Sequence, residues 1–327
     1  MRFPISCGII CLIFLCSCAT QKEAPPSLPT EVSLNPGAGR GDFIRVKLRL
    51  ETGQELSFTV DTASPRTILD KSLEPKLGKR LVTRDMNILY GLMECGLYKT
   101  PKLYLGNAQL LMTDHILAGD LHKFFGPSYK ADGILGMDCL RHYCIQLDFA
   151  AGKMRFLDPD HAGDEDLGEA FPLTIPFGDT FADTVARGDY FGTGRIYFEV
   201  DTGNVGDVDA LFDSESFHRE LKIQKAAFLE SLTTSDGNPE GVAGFSTNVF
   251  GNQTYSDLTF LEWKGPHDWA DQNNIGLSFL ARNLVTFDFP KGVMYLKQQS
   301  VGPLDPSDFL TIEAAEFSAK AADFCRA

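Results

Sequence analysis

Phe58-Thr59-Val60-Asp61-Thr62-Ala63-Ser64-Pro65 decides the fold because the chain carries a second copy of it, Phe198-Glu199-Val200-Asp201-Thr202-Gly203-Asn204. Each copy is a β-branched, largely apolar run that ends on an aspartate, then a threonine and a small turn residue. A buried strand that delivers a carboxylate to a tight loop reads in this way. The surroundings keep step. Gly136, in Asp132-Gly133-Ile134-Leu135-Gly136, follows Asp61 at the same distance as Gly276, in Asn274-Ile275-Gly276, follows Asp201. Asp148, in Ile145-Gln146-Leu147-Asp148-Phe149, and Asp288, in Val285-Thr286-Phe287-Asp288-Phe289, are likewise equally far from their respective aspartates. Leu140 and Leu280, Gly152 and Gly292, and Met154 and Met294 share the offset that relates Asp61 to Asp201. The chain is a duplicated domain.

Outward from the first copy, Phe43, Arg45, Lys47 and Arg49 interleave with Ile44, Val46, Leu48 and Leu50, the period of a half-buried strand. Glu51-Thr52-Gly53-Gln54 then predicts a hairpin turn into Leu56–Val60. Thr67–Leu69, Leu103–Gly106 and Ile116–Leu117 read as further short strands, and no long helical period precedes residue 208. Val208 to Leu232 carries helical spacing at Phe217, Leu221, Ala226 and Leu229, and residues 235–241 read as a mobile loop. The expected organisation is a leader at 1–18, a Pro/Gly-rich tether at 19–42, a first lobe at 43–157, an acidic linker at 158–172, a second lobe at 173–297 and a tail at 298–327 that forms a surface helix.

At 327 residues, 43% hydrophobic and 23% charged, the chain can bury a core in each of two lobes. Its formal net charge of −14 argues against nucleic acid or an anionic membrane surface as partner. Met1-Arg2 and the apolar run from Phe3 to Ser17 read as an export signal, too short to span a bilayer comfortably. The run ends Leu15-Cys16-Ser17-Cys18, similar to a bacterial lipobox, which makes Cys18 the candidate lipidation site. Cleavage after Ala19 is the alternative. The lipobox reading places the chain outside the cytoplasm, anchored through Cys18 to the outer membrane, on the periplasmic or the surface side. Of 8 Cys, four lie in the leader; Cys95, Cys139, Cys144 and Cys325 remain as buried thiols or disulfides whose pairing stays open. None has metal-ligand spacing, the six His are dispersed, and no metal or cofactor is expected. Trp263 and Trp269, flanking Gly265-Pro266, read as lobe packing.

Apolar-Asp-Thr-Gly/Ala, followed at one fixed distance by apolar-apolar-Gly, in two copies, resembles the aspartic peptidases. The resemblance spans 43–157 and 173–297. The short lobes look closer to the retroviral-like domain, duplicated here so that one chain carries both aspartates, as in the pepsin-like enzymes. It implies an all-β, bilobal aspartic-protease (pepsin/retropepsin-like) fold with two β-barrel lobes related by a pseudo-two-fold, plus a C-terminal helical tail. It implies that Asp61 and Asp201 form the catalytic pair, that Thr62 and Thr202 cross-brace their loops, and that Ala63, Ser64 and Gly203 support the pair. The Ile134–Gly136 and Asn274–Gly276 triplets would pack beneath the loops. Tyr90-Gly91 is the candidate flap, closer in sequence to Asp61 than in pepsins.

The implied chemistry is peptide hydrolysis. Two adjoining carboxylates cannot both ionise, so they share one proton; one activates water and the other polarises the scissile carbonyl. Ala63 stands where the family has Gly, Asn204 follows Gly203 where Ser or Thr is usual, and Glu199 replaces an apolar residue. The expected function is a monomeric aspartic endopeptidase acting on peptide or protein, with no cofactor. The alternative is a catalytically silent surface lipoprotein of the same fold that binds peptide or glycan.

Overall fold

The computed structural model describes residues 28–88, 91–158, 166–175, 185–187, 197–205, 208–224, 227–233, 239–263 and 273–304. The expectations placed on the leader and Cys18, on Tyr90, Trp269 and Cys325, on the loop at 235–238 and on the helical tail past residue 304 lie outside them. Within the described residues the strands form one sheet of nine, drawn from residues 45–135, and one of thirteen, which starts with Thr30–Ser33 and takes in residues 144–298.

The first sheet is built around Glu55–Val60. Arg45–Leu50 lies antiparallel to it, with Val46 opposite Phe58, and Gly133–Leu135 lies parallel, with Leu135 opposite Val60. Val46, Leu48, Phe58, Val60 and Leu135 are all buried, which is what the apolar alternation requires of strands with core on their inner face. The second copy repeats the plan in register. Tyr197–Val200 is flanked by antiparallel Val185–Arg187 and by parallel Asn273–Ile275, with Ile275 opposite Val200. Each partner sits one full repeat beyond its counterpart.

The two halves meet where Cys144–Asp148 pairs antiparallel with Asn283–Asp288. Gln146 faces Thr286 there, and its Nε2 donates to the Thr286 Oγ1 at 3.2 Å in a buried setting. Two residues one repeat apart that are each other's partner must lie on the axis relating the copies. A single buried apolar cluster runs from Leu48 and Phe58 through Leu147 and Phe156 to Phe198, Phe287 and Leu296, so the lobes share one continuous core.

Four expectations are corrected. The tether is ordered from Thr30: Thr30–Ser33 pairs antiparallel with Lys153–Leu157, and Leu34 and Ala38 are buried in the shared core. Ion pairs from Glu31 to Lys153 (2.6 Å) and Arg155 (2.9 Å) hold this edge strand in place. Its glycine content serves close packing. Gly39 has φ +71°, and a Cβ there would run into the Ala281 methyl group. The acidic linker ends early, because Glu169–Thr174 is a strand on Val293–Gln298. The helical run stops at Gln224: Ser214–Gln224 is a helix, with Asp213 accepting from the Ser216 N–H, but Ala227–Thr233, which includes Leu229, is a strand paired with Pro239–Phe250. That pairing also makes residues 239–241 strand instead of loop. Cross-strand partners, which spacing along the chain does not reveal, decide these segments.

Cys95, Cys139 and Cys144 are buried free thiols, which settles their alternatives in favour of packing. Burial pushes Cys95 up to about 11 and Cys144 up to about 12, so both stay protonated and inert. After Gln298 the chain turns back on the second lobe, where Gln299 and Ser300 N–H groups donate to the Arg282 carbonyl and Ser256 N–H donates to that of Val301.

Candidate active site

Asp61 and Asp201 leave their strands at equivalent points. The Asp61 N–H donates to the Leu135 carbonyl at 3.1 Å and the Asp201 N–H to that of Ile275 at 3.0 Å, so the parallel neighbour fixes where each loop begins. Each carboxylate then folds back over its own turn. Asp61 Oδ1 accepts from the N–H groups of Ala63 (2.9 Å) and Ser64 (3.0 Å), and Asp201 Oδ1 from those of Gly203 (2.6 Å) and Asn204 (3.1 Å). Beneath them, Met137 N–H donates to the Ser64 carbonyl and Leu277 N–H to that of Asn204, both at 2.8 Å, at the start of two short helices, Met137–Leu140 and Leu277–Leu280.

The loops are tied to each other by four reciprocal hydrogen bonds. Thr62 Oγ1 donates to the Val200 carbonyl (2.6 Å) and accepts from the Thr202 N–H (3.0 Å). Thr202 Oγ1 donates to the Val60 carbonyl and accepts from the Thr62 N–H, both at 3.0 Å. Both hydroxyls are buried. Thr62 and Thr202 are again one repeat apart, which puts them on the same axis as Gln146 and Thr286. The side-chain type that fits is one with a single rotatable donor that can also accept.

This clasp brings both carboxyls against one glycine. Gly203 N–H bonds Asp201, while a Cβ built on Gly203 would lie 2.6 Å from the Asp61 Cγ and 2.7 Å from each of its oxygens. Gly203→Ala is therefore expected to displace the Asp61 carboxyl, and any peptide hydrolysis that depends on the pair is expected to fall by about 10²-fold, the cost of a misplacement of about 1 Å. Peptide assays on the folded variant check it, and full activity would mean that Asp61 is not held against this loop. Ala63, the off-pattern residue, acts through its backbone N–H.

The second oxygens are treated differently. Asp201 Oδ2 accepts from Asn274 Nδ2 at 3.0 Å, and Asn274 Oδ1 in turn accepts from Asn204 Nδ2 at 2.9 Å. The first copy has Ile134 at the place of Asn274 and Ser64 at that of Asn204, and Ser64 Oγ turns away to the Arg66 carbonyl. Glu199, buried on the strand that delivers Asp201, lies 3.5 Å from the same Asn274 Nδ2. On the other side Tyr129 donates its hydroxyl to Thr59 Oγ1 at 2.9 Å, on the strand that ends at Asp61, and stacks on Phe125 at 4.7 Å. Burial pushes the Tyr129 phenol well above its ordinary value, and the Asp61 charge adds to the effect.

Of the residues singled out in the sequence, Asp61, Thr62, Ala63, Ser64, Asp201, Thr202 and Gly203 are brought together. Gly91 opens the second strand of the hairpin Val82–Ile88/Gly91–Lys99, on an edge of the nine-stranded sheet. Asn274 and Tyr129 were missed as participants. For Asn274 the signal lay in the repeat, where it stands for the apolar Ile134 and clusters in space with Asn204 and Glu199, which differ from Ser64 and Thr59 of the first copy. Among the described residues no group of three or more His, Cys, Asp or Glu side chains could hold a metal ion.

Among solved structures, the crystal structure of aspartic proteinase from Irpex lacteus is similar with a TM-score of 0.53, covering 84% of this chain and 98% of that one at 15% sequence identity. This chain has the aspartic-proteinase fold. No protein-family model matches it, and no curated protein does. Within that fold, the clasp of Thr62 and Thr202 ties together the loops that carry the two aspartates, and the hairpin carrying Gly91 belongs to the nine-stranded sheet.

Proposed function

We propose that the chain is an aspartic endopeptidase whose Asp61/Asp201 pair hydrolyses peptide bonds. The observation that carries this reading is Gly203, against which both carboxyls are held, one by its N–H and the other by its open α-carbon. In this reading the two carboxyls share one proton, because adjoining carboxyls cannot both ionise. The ionised member takes a proton from water as the oxygen adds to the scissile carbonyl carbon, and the protonated member donates to the carbonyl oxygen. The tetrahedral adduct then collapses: one of its hydroxyls gives a proton back to the pair as the C=O bond re-forms, the C–N bond breaks, and the amine leaves with the proton of the other carboxyl. Neither metal nor covalent intermediate is required.

The off-pattern residues do not weaken the reading, because Ala63 and Asn204 serve the carboxylates through backbone N–H groups that any residue other than proline supplies. The test is cleavage of a mixed peptide library between about pH 3 and 7, with pepstatin as inhibitor, by the chain without residues 1–18. A shorter version starting at residue 40 would lose the Thr30–Ser33 strand and the buried Leu34 and Ala38. Absence of cleavage at every pH by folded protein would favour the silent binding module.

The same proposal makes Cys18 the lipidated residue and the membrane a partner through that anchor. Among the described residues no helix is long and apolar enough to cross a membrane. Labelled palmitate is expected in the wild-type chain expressed in a bacterium and is expected to be lost in Cys18→Ala. Label that persists in the variant would sink the anchor.

A further inference from the structure

The two copies of the repeat supply their aspartates with the same backbone donors but not with the same side-chain donors. Each Oδ1 accepts two N–H groups from its own turn. Asp201 Oδ2 has the Asn274 amide at 3.0 Å in addition, where the first copy has Ile134, an alkyl side chain that can donate nothing. Asn274 is not free to turn. Its Oδ1 is engaged by Asn204 Nδ2, and its own Nδ2 protons face Asp201 and, at 3.5 Å, Glu199. A rotated amide would set its oxygen against two carboxylates.

We propose that Asn274, oriented by Asn204, is a positioning residue that holds the negative charge of the carboxyl pair on Asp201 and leaves the shared proton on Asp61. Hydrogen bonds to the ionised form of a carboxyl favour that form, and Asn274 gives Asp201 one that Ile134, at the equivalent place in the first copy, is unable to give. The ionisable side chains tied into this set are Asp61, across the clasp, and Glu199, on the same strand as Asp201. An ionised Glu199 opposes ionisation of Asp201, and the Asn274 amide, directed at both, lies between them to offset that repulsion. In hydrolysis, Asp201 is then the group that takes the proton from water and Asp61 the one that donates to the carbonyl oxygen. This assignment of roles rests on the peptidase reading; the placement of the proton does not.

The test uses the full chain in detergent, labelled with ¹³C at the aspartate carboxyls, and follows each carboxyl by NMR against pH. Asp61→Asn leaves Asp201 alone in the pair, and Asp201→Asn leaves Asp61. Asp201 is expected to titrate at the lower pH. Adding Asn274→Ile, the residue of the first copy, is expected to raise the Asp201 midpoint by about one pH unit or more and to move Asp61 by much less. A purely structural Asn274 would alter the melting temperature without moving either midpoint. An unmoved Asp201, or an Asp61 that titrates lower, overturns the proposal. If Asn274→Ile does not fold, Asn204→Ser frees the Asn274 oxygen and is expected to move Asp201 the same way by less; no movement there overturns it equally. Wild-type cleavage assayed alongside separates the two readings, because a silent protein with the expected titrations would sink the peptidase and keep the proton where it is assigned here.

Discussion

Asp61→Asn and Asp201→Asn are each expected to lower kcat/KM on a peptide substrate by about 10²- to 10⁴-fold, the range that general acid–base catalysis supplies. The two losses should not add in the double variant, because the carboxyls act as one unit on one shared proton. Wild-type protein should show a bell-shaped pH–rate profile whose limbs belong to the pair. Both single variants are expected to fold, since a side-chain amide keeps an oxygen for the two turn N–H groups that now reach Oδ1. They should differ in stability. In Asp201→Asn the new amide must either present nitrogen to the Asn274 Nδ2, donor against donor, or present nitrogen to the turn; in Asp61→Asn no such conflict with Ile134 arises. A lower melting temperature for Asp201→Asn than for Asp61→Asn is the expected order. Retention of cleavage in either variant would remove the dyad from the mechanism.

The second large effect lies in the support of the Asp201 loop. Arg282 and Asp209 are wholly buried and paired, with Arg282 Nη2 2.9 Å from Asp209 Oδ2. Arg282 Nη1 also donates to the Ser256 carbonyl at 2.6 Å, and Asp209 Oδ2 accepts from the Thr259 N–H at 2.8 Å. The Asp209 backbone carbonyl in turn accepts from the N–H of Gly276, the glycine packed against Asn204. Arg282→Met is expected to cost about 3–5 kcal/mol, because it strands a buried carboxylate. Burial pushes the Asp209 carboxyl up, and Arg282 is the charge that opposes this. Without it the folded-state value stands still further above the unfolded one. The variant therefore loses most stability at neutral pH and regains part of it as pH falls toward about 4, where the unfolded chain also binds the proton. Arg282→Met combined with Asp209→Leu should recover much of the loss, since an apolar pair replaces a buried ionic one at little cost. Chemical denaturation at two pH values checks both points, and a pH-independent loss would mean that Asp209 stays ionised without its partner.

The gap between the two kinds of support around Asp201 shows what could be read in advance. The cross-brace of Thr62 and Thr202 was legible through the resemblance to the aspartic peptidases, with the duplication supplying the pair. Residues one repeat apart meet only where they lie on the two-fold, and the structure places these two there. The amide on Asp201 was not legible. Asn274 and Asp201 are far apart in the chain, and an asparagine in an otherwise apolar triplet reads as a departure before it reads as a donor. Tyr129 bonds to the distant Thr59 with no shared period to announce it. Composition misled at Thr30–Ser33, where prolines and glycines around a short strand read as a tether, and spacing misled at Ala227–Thr233, where apolar residues satisfied a helical period.

By itself the sequence determined the duplication, the all-β class and the strands that end on Asp61 and Asp201, because alternation, turn residues and a repeat are local properties that survive in one dimension. Tertiary structure alone decided which carboxyl receives the extra donor, which polar side chains are buried as a set, and where the edges of the lobes lie. Those outcomes depend on hydrogen bonds between strands far apart in the chain, and a hydrogen bond across a sheet leaves no periodic trace in either of the segments that make it.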